Sequence, residues 1–161
     1  MSKHLKIALV DDDKPNVEIL HDFLIRSGYS HIEKYYSGED FLKSLHLHDD
    51  RAVILDYGLS DTGGMNGLEV LEQIKDASPN THVLFYSGQD SLDVAVESLK
   101  MGADDYIVKS AAGVVLLKTA MDKVYEIQVL KFGERRNQRL SWIFAGLWIV
   151  AMVAAAYFAM R

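Results

Sequence analysis

The order of apolar runs along the chain predicts a doubly wound α/β fold on a five-stranded parallel sheet. Apolar stretches of strand length recur at Leu5 to Val10, Ile32 to Tyr36, Ala52 to Leu55, Val83 to Tyr86 and Tyr106 to Val108. Between them lie segments whose apolar residues repeat with the period of a helix. Strands that alternate with helices need right-handed crossovers and a parallel sheet covered on both faces.

Each element has local support. The first strand ends in three acids, Asp11, Asp12 and Asp13, and the helix after it is marked by Val17, Leu20 and Leu24, with Gly28 where it should stop. After the second strand, Ser37 with Asp40 three residues on reads as a helix N-cap ahead of Phe41, Leu42 and Leu45. The third strand runs into Asp56, followed by the loop YGLSDTGGMNG and a helix carrying Leu68, Leu71 and Ile74. The fourth strand ends at Ser87, and Leu92, Val96 and Leu99 mark the next helix, closed by Gly102. The fifth strand ends at Lys109, and a helical stretch without proline runs from Ala111 to Leu140, interrupted only by Gly113 and Gly133.

Composition narrows the function. A chain of 161 residues holds one ordinary core and a short appendage. With no cysteine, thiol chemistry and disulfides are excluded. A net charge of −6 argues against a nucleic-acid surface, which needs clustered Lys and Arg, so no nucleic-acid partner is expected. The N-terminal apolar run meets acids too early for a signal peptide, which places the first domain in the cytoplasm.

The C-terminus reads differently. Residues 141–160, SWIFAGLWIVAMVAAAYFAM, carry no charge, and about 20 helical residues span the hydrocarbon thickness of a bilayer. They predict one C-terminal transmembrane helix, with Trp142 and Tyr157 near its ends. The basic residues Lys131, Arg135, Arg136 and Arg139 before it put the preceding domain on the cytoplasmic side. Small residues in the span allow a homodimer.

In a doubly wound sheet, ligands bind at the carboxyl ends of the strands, at the switch point of strand order. With the order 2-1-3-4-5, Asp11 to Asp13, Asp56, Ser87 and Lys109 converge on one rim. Singly, each has an ordinary explanation: an N-cap for the acids, a turn for the serine, a solvated lysine. Together, acids arriving from different strands repel unless a cation lies between them. Oxygen ligands without His or Cys point to Mg2+, and Lys109 beside them is a phosphate-sized positive charge.

On the stretches IALVDDDKP, AVILD, VLFYSG and GADDYIVK, in this order across residues 5 to 130, the chain resembles the receiver domains of two-component response regulators, chemotaxis-regulator-like proteins of flavodoxin-like fold. The resemblance implies that Asp56 is the phosphoacceptor and that Mg2+ is held by Asp11, Asp12, Asp56 and the backbone carbonyl of Gly58. It further implies that Ser87 and Lys109 bind the phosphoryl group and that Tyr106 is the aromatic switch, although a half-buried strand tyrosine need not switch. The donor would be a sensor histidine kinase or a phosphotransfer protein. The domain is then a signalling module rather than an enzyme, and the only chemistry expected of it is its own phosphorylation and dephosphorylation.

The chain departs from the family pattern at two places. Ser110 follows Lys109 where receivers carry a cis proline, so a trans or reshaped loop is expected. The loop after Asp56 is about three residues longer than usual, with Ser60 at a common proline position, and its glycines Gly58, Gly63 and Gly64 add freedom. A phosphatase of the haloacid-dehalogenase type would need a second aspartate where Gly58 stands. The expected organisation is therefore a receiver domain over 1–130, a basic juxtamembrane segment over 131–140 and a transmembrane helix over 141–160. The expected function is a membrane-anchored receiver in phosphorelay signalling, the alternative being a receiver-like adaptor that recruits partners to the membrane without phosphorylation.

Overall fold

Alternation along the central strands sets the architecture. The computed structural model describes residues 3–45, 51–59, 64–131 and 148. In it, β1 (Lys3–Val10) sends Leu5, Ile7 and Leu9 into one buried cluster and Ala8 and Val10 into another. The neighbouring β3 (Ala52–Leu55) is buried at every position, as a strand covered on both faces must be. Outside them run β2 (Tyr29–Tyr35), β4 (His82–Ser87) and β5 (Asp105–Val108), giving a parallel sheet of order β2-β1-β3-β4-β5.

The first cluster is closed by Val17, Leu20 and Leu24 of α1 (Lys14–Arg26) and by Leu117, Met121 and Val124 of α5 (111–131). Phe41 of α2 (Gly38–Ser44) and Val70, Leu71 and Ile74 of α3 (Gly67–Ala77) close the second. The expected punctuation is present. Gly28 and Gly102 follow α1 and α4 (Leu92–Lys100) with φ of 94° and 99°, a left-handed backbone that glycine adopts without a Cβ penalty. Ser37 caps α2, its hydroxyl accepting from Asp40 N.

Two elements differ from expectation. β2 starts at Tyr29, three residues before the apolar run, because an edge strand shows solvent its outer residues: Ser30, His31 and Glu33 are exposed while Tyr29 is buried. In α4 the apolar stripe faces outward. Leu92, Val96 and Leu99 are 78%, 40% and 47% exposed, and Ser98 is the buried residue of the helix, its hydroxyl donating to Ala95 O.

The chain divides into two units, Met1–Tyr125 and Glu126–Arg161. The basic segment, apart from Lys131, and the transmembrane helix expected over 141–160, apart from Trp148, lie outside the described residues. Among the described residues no helix is long and apolar enough to cross a membrane. The described helix at 111–131 has the length but carries Lys118, Asp122, Lys123, Glu126 and Lys131, charges that hydrocarbon does not accept. The expected localisation, a single-pass membrane protein with its receiver on the cytoplasmic side, is corrected accordingly.

Candidate functional site

Strand register brings the polar residues to one level. Tyr35, Val10, Leu55, Phe85 and Tyr106 form one cross-strand row, and the residues just beyond it make the rim. Backbone bonds carry the ladder one step further: Asp11 N donates to Tyr35 O at 3.1 Å, Asp56 N to Val10 O at 2.9 Å and Lys109 N to Ser87 O at 2.8 Å. Sheet hydrogen bonds thus hold the backbone of every expected ligand strand in place.

The side chains close on one another. Lys109 Nζ lies 2.7 Å from Asp11 Oδ2 and 3.1 Å from Asp56 Oδ1. The second oxygens are also engaged, Asp11 Oδ1 accepting from Asp13 N at 2.9 Å and Asp56 Oδ2 from Gly58 N at 3.0 Å. Asp11 and Asp56 are buried, whereas Asp12 is half-buried at the mouth. Burial pushes the Asp11 carboxyl up, an effect that the Lys109 ammonium only partly offsets. Burial works to lower Lys109, but the hydrogen bond to Asp11 and the charges of Asp56 and Asp11 leave it raised and firmly cationic.

Asp11, Asp12 and Asp56 each present an oxygen within 4.8 Å of the others. Oxygens around an octahedral Mg2+ at about 2.1 Å lie roughly 3 to 4 Å apart, so small rotations bring these three to a shared ion. All three ligands are hard oxygens, and the residues present fit that ion. A cavity of about 410 Å³ opens over them, lined also by Tyr57, Gly58, Ser87 and Lys109. There is room for a phosphoryl group and metal-bound water.

Ser87 is 2% exposed; its hydroxyl oxygen accepts from Gln89 N at 3.3 Å, and the hydroxyl is also hydrogen-bonded to that of Tyr106. Tyr106 stacks on Phe85 with ring centroids 5.7 Å apart and donates its hydroxyl to Gln89 O at 2.8 Å. Its ring is half-buried, and burial pushes its hydroxyl pKa up.

Some residues around the site escaped the sequence reading. Gln89 and Asn16 line the cavity, and as isolated polar loop or helix residues they carry no pattern. Ser110 proves to be the N-cap of α5: its hydroxyl accepts from Gly113 N at 2.9 Å and its carbonyl from Val114 N at 3.2 Å. No cis peptide bond occurs among the described residues, so the Lys109–Ser110 bond is trans, as a non-proline residue there requires. A serine directly before a helical run was the available signal.

Comparison with known proteins agrees with the fold. The family model for the response regulator receiver domain matches residues 7–121, and the chain belongs to that family. It is similar to the transcriptional regulatory protein ZraR of Salmonella typhimurium, 33% identical over 105 residues, which cover 65% of this chain and 23% of ZraR. The cell cycle transcriptional regulator CtrA of Caulobacter vibrioides is 28% identical over 105 residues, 65% of this chain and 44% of CtrA. The chain thus spans less than half the length of either relative. Among solved structures, the BeF3-activated DrrB receiver domain has a TM-score of 0.64 and 29% identity, covering 78% of this chain and 99% of that one. A CheY-like receiver domain protein from Methanospirillum hungatei JF-1 has a TM-score of 0.65 and 30% identity over 76% of this chain and 95% of that one. Receiver domains are signalling domains that take phosphoryl groups from histidine kinases or phosphotransfer proteins and bind Mg2+ at an acidic pocket, with which the cluster of Asp11, Asp12 and Asp56 is compatible.

Proposed function

We propose that this chain accepts a phosphoryl group on Asp56 from a phosphohistidine of a sensor kinase or phosphotransfer protein. The observation that carries the reading is the position of Lys109 Nζ, 3.1 Å from Asp56 Oδ1, with oxygens of Asp11 and Asp12 within 4.8 Å of Asp56. The Asp56 carboxylate attacks phosphorus, an oxygen–phosphorus bond forms, and the bond to the donor nitrogen breaks. Little covalent help is needed, so positioning and charge neutralisation supply most of the catalysis.

Asp11, Asp12, Asp56 and the Gly58 carbonyl would hold Mg2+, which when bound would neutralise charge on the transferred group. Lys109 then leaves its ion pair with Asp56 to pair with a phosphoryl oxygen, and Ser87 donates to another. Tyr106, tied to Gln89 O in this structure, is the aromatic that responds as the Ser87 loop moves. Water hydrolyses the acyl phosphate and returns the carboxylate.

The test is incubation of the chain with acetyl phosphate and Mg2+, read by intact mass. The expected outcome is a gain of one phosphoryl group in the wild type and none in Asp56→Asn. An equal gain in Asp56→Asn overturns the assignment.

A further inference from the structure

An acid in the first turn of a helix ordinarily answers the positive end of the helix dipole. Glu39 of α2 does more. Its Oε1 accepts a hydrogen bond from Met65 N at 2.9 Å, across to the chain segment that leads into α3. The contact depends on its neighbour as well: a Cβ on Gly64 would stand 2.9 Å from Oε1 and 3.3 Å from Oε2, so a side chain there would push the carboxylate away. The Met65 N–H holds the Glu39 carboxyl below the ordinary range, which keeps it an ionised acceptor.

From Met65 onward the chain is tied at each step. Asn66 N donates to Glu69 Oε2 at 2.8 Å, and Asn66 Oδ1 accepts from Leu68 N and Glu69 N, a reciprocal capping box. Gly67 N donates to Tyr57 O at 3.1 Å, and Gly67 sits so close to Asp56 that a Cβ would lie 2.7 Å from the Asp56 carbonyl oxygen. One residue, Asn66, therefore separates the Glu39 anchor at Met65 from Gly67, which contacts the peptide that carries the phosphoryl acceptor.

We infer that Glu39 is a positioning residue for Asp56: through the Met65 N–H it sets the segment Gly64 to Gly67, and through Gly67 the backbone on which the acceptor carboxylate is aimed. The inference rests on the acceptor role given above to Asp56.

The test measures the phosphorylation rate of the full chain against acetyl phosphate concentration at fixed Mg2+, alongside urea unfolding. Glu39→Ala removes the acceptor, Glu39→Gln keeps an oxygen that can take the same bond, and Asp40→Ala removes an adjacent acid that is exposed and paired with Lys43. The expected result is a limiting rate roughly three- to tenfold lower in Glu39→Ala, with the half-saturating concentration little changed. Glu39→Gln recovers to within about twofold of wild type and Asp40→Ala matches it. A Glu39→Ala rate equal to wild type overturns the inference, as does a Glu39→Gln rate as low as that of Glu39→Ala. A wild-type chain that gains no phosphoryl group overturns both this inference and the acceptor reading beneath it.

Discussion

Replacing Gly67 with alanine sets a methyl group against the backbone of the acceptor. The added Cβ meets Asp56 O at 2.7 Å, Phe85 Cε1 at 2.8 Å and Tyr57 Cα at 2.8 Å. Favourable contacts begin near 3.5 Å, so each neighbour must retreat by roughly 0.7 Å. None does so easily, since two are backbone atoms at the end of β3 and the third belongs to a ring that is 0% exposed in the core. Overpacking of this kind costs about 1–3 kcal/mol. The higher helix propensity of alanine returns less than about 1 kcal/mol at this first helical position. A net loss of about 2 kcal/mol and a urea slope of about 2 kcal/mol/M lower the unfolding midpoint by roughly 1 M. The matched reference is Gly88→Ala, at the cavity rim, where a Cβ meets nothing within 4 Å. Its midpoint is expected to match wild type. The Gly67 variant is also expected to be phosphorylated more slowly, because the strain falls on the Asp56 peptide. Equal midpoints for Gly67→Ala and wild type would refute the close packing of α3 against the site.

Asp122 receives Lys118 Nζ at 2.6 Å, the Lys3 ammonium and the Tyr29 hydroxyl at 2.9 Å. Burial opposes these partners, but they hold its carboxyl down at about 2. A depressed folded-state pKa means stability that is present above the ordinary value of 3.8 and lost as pH falls toward about 2. The side chain is 34% exposed, so the discounted contribution is about 1 kcal/mol. Asp122→Asn is expected to be less stable than wild type at pH 6, the gap closing between pH 4 and pH 2 in denaturant titrations; a gap independent of pH would contradict the pairing. Mg2+ is expected to raise the melting temperature of the wild type, by about 1.4 kcal/mol of stability at ten times its Kd, and less in Asp12→Ala, since it binds the folded acid cluster alone. Calorimetry with and without the ion checks this. Ser110→Ala removes the cap of α5 and is expected to cost about 1 kcal/mol by urea titration, whereas Ser110→Asp, which can cap, is expected to cost little.

The order of elements was legible in the sequence because it depends on local chemistry. Buried strands of a parallel sheet are apolar along their length, as at Ala52 to Leu55, and glycines at 28 and 102 mark helix ends by the backbone they permit. The residues of the site were legible for a related reason. They sit at strand ends, so periodicity located Asp11, Asp56, Ser87 and Lys109 before any distance was known. The distances themselves come only from the fold, since strand order and register bring Lys109 Nζ to 2.7 Å from Asp11, a residue 98 positions away.

Helix orientation was not legible in α4. Periodicity shows that Leu92, Val96 and Leu99 share a face, but only packing buried Ser98 and left those three outside. Nor could local pattern find Glu39, whose partner lies 26 residues further on, or the need for glycine at 67, which arises from crowding by Asp56 and Phe85. Local propensity acts through neighbours along the chain and so can be read from it. Crowding, ion pairing and the choice of which helix face is covered act between segments distant in sequence, and they have no value until the tertiary structure brings those segments together.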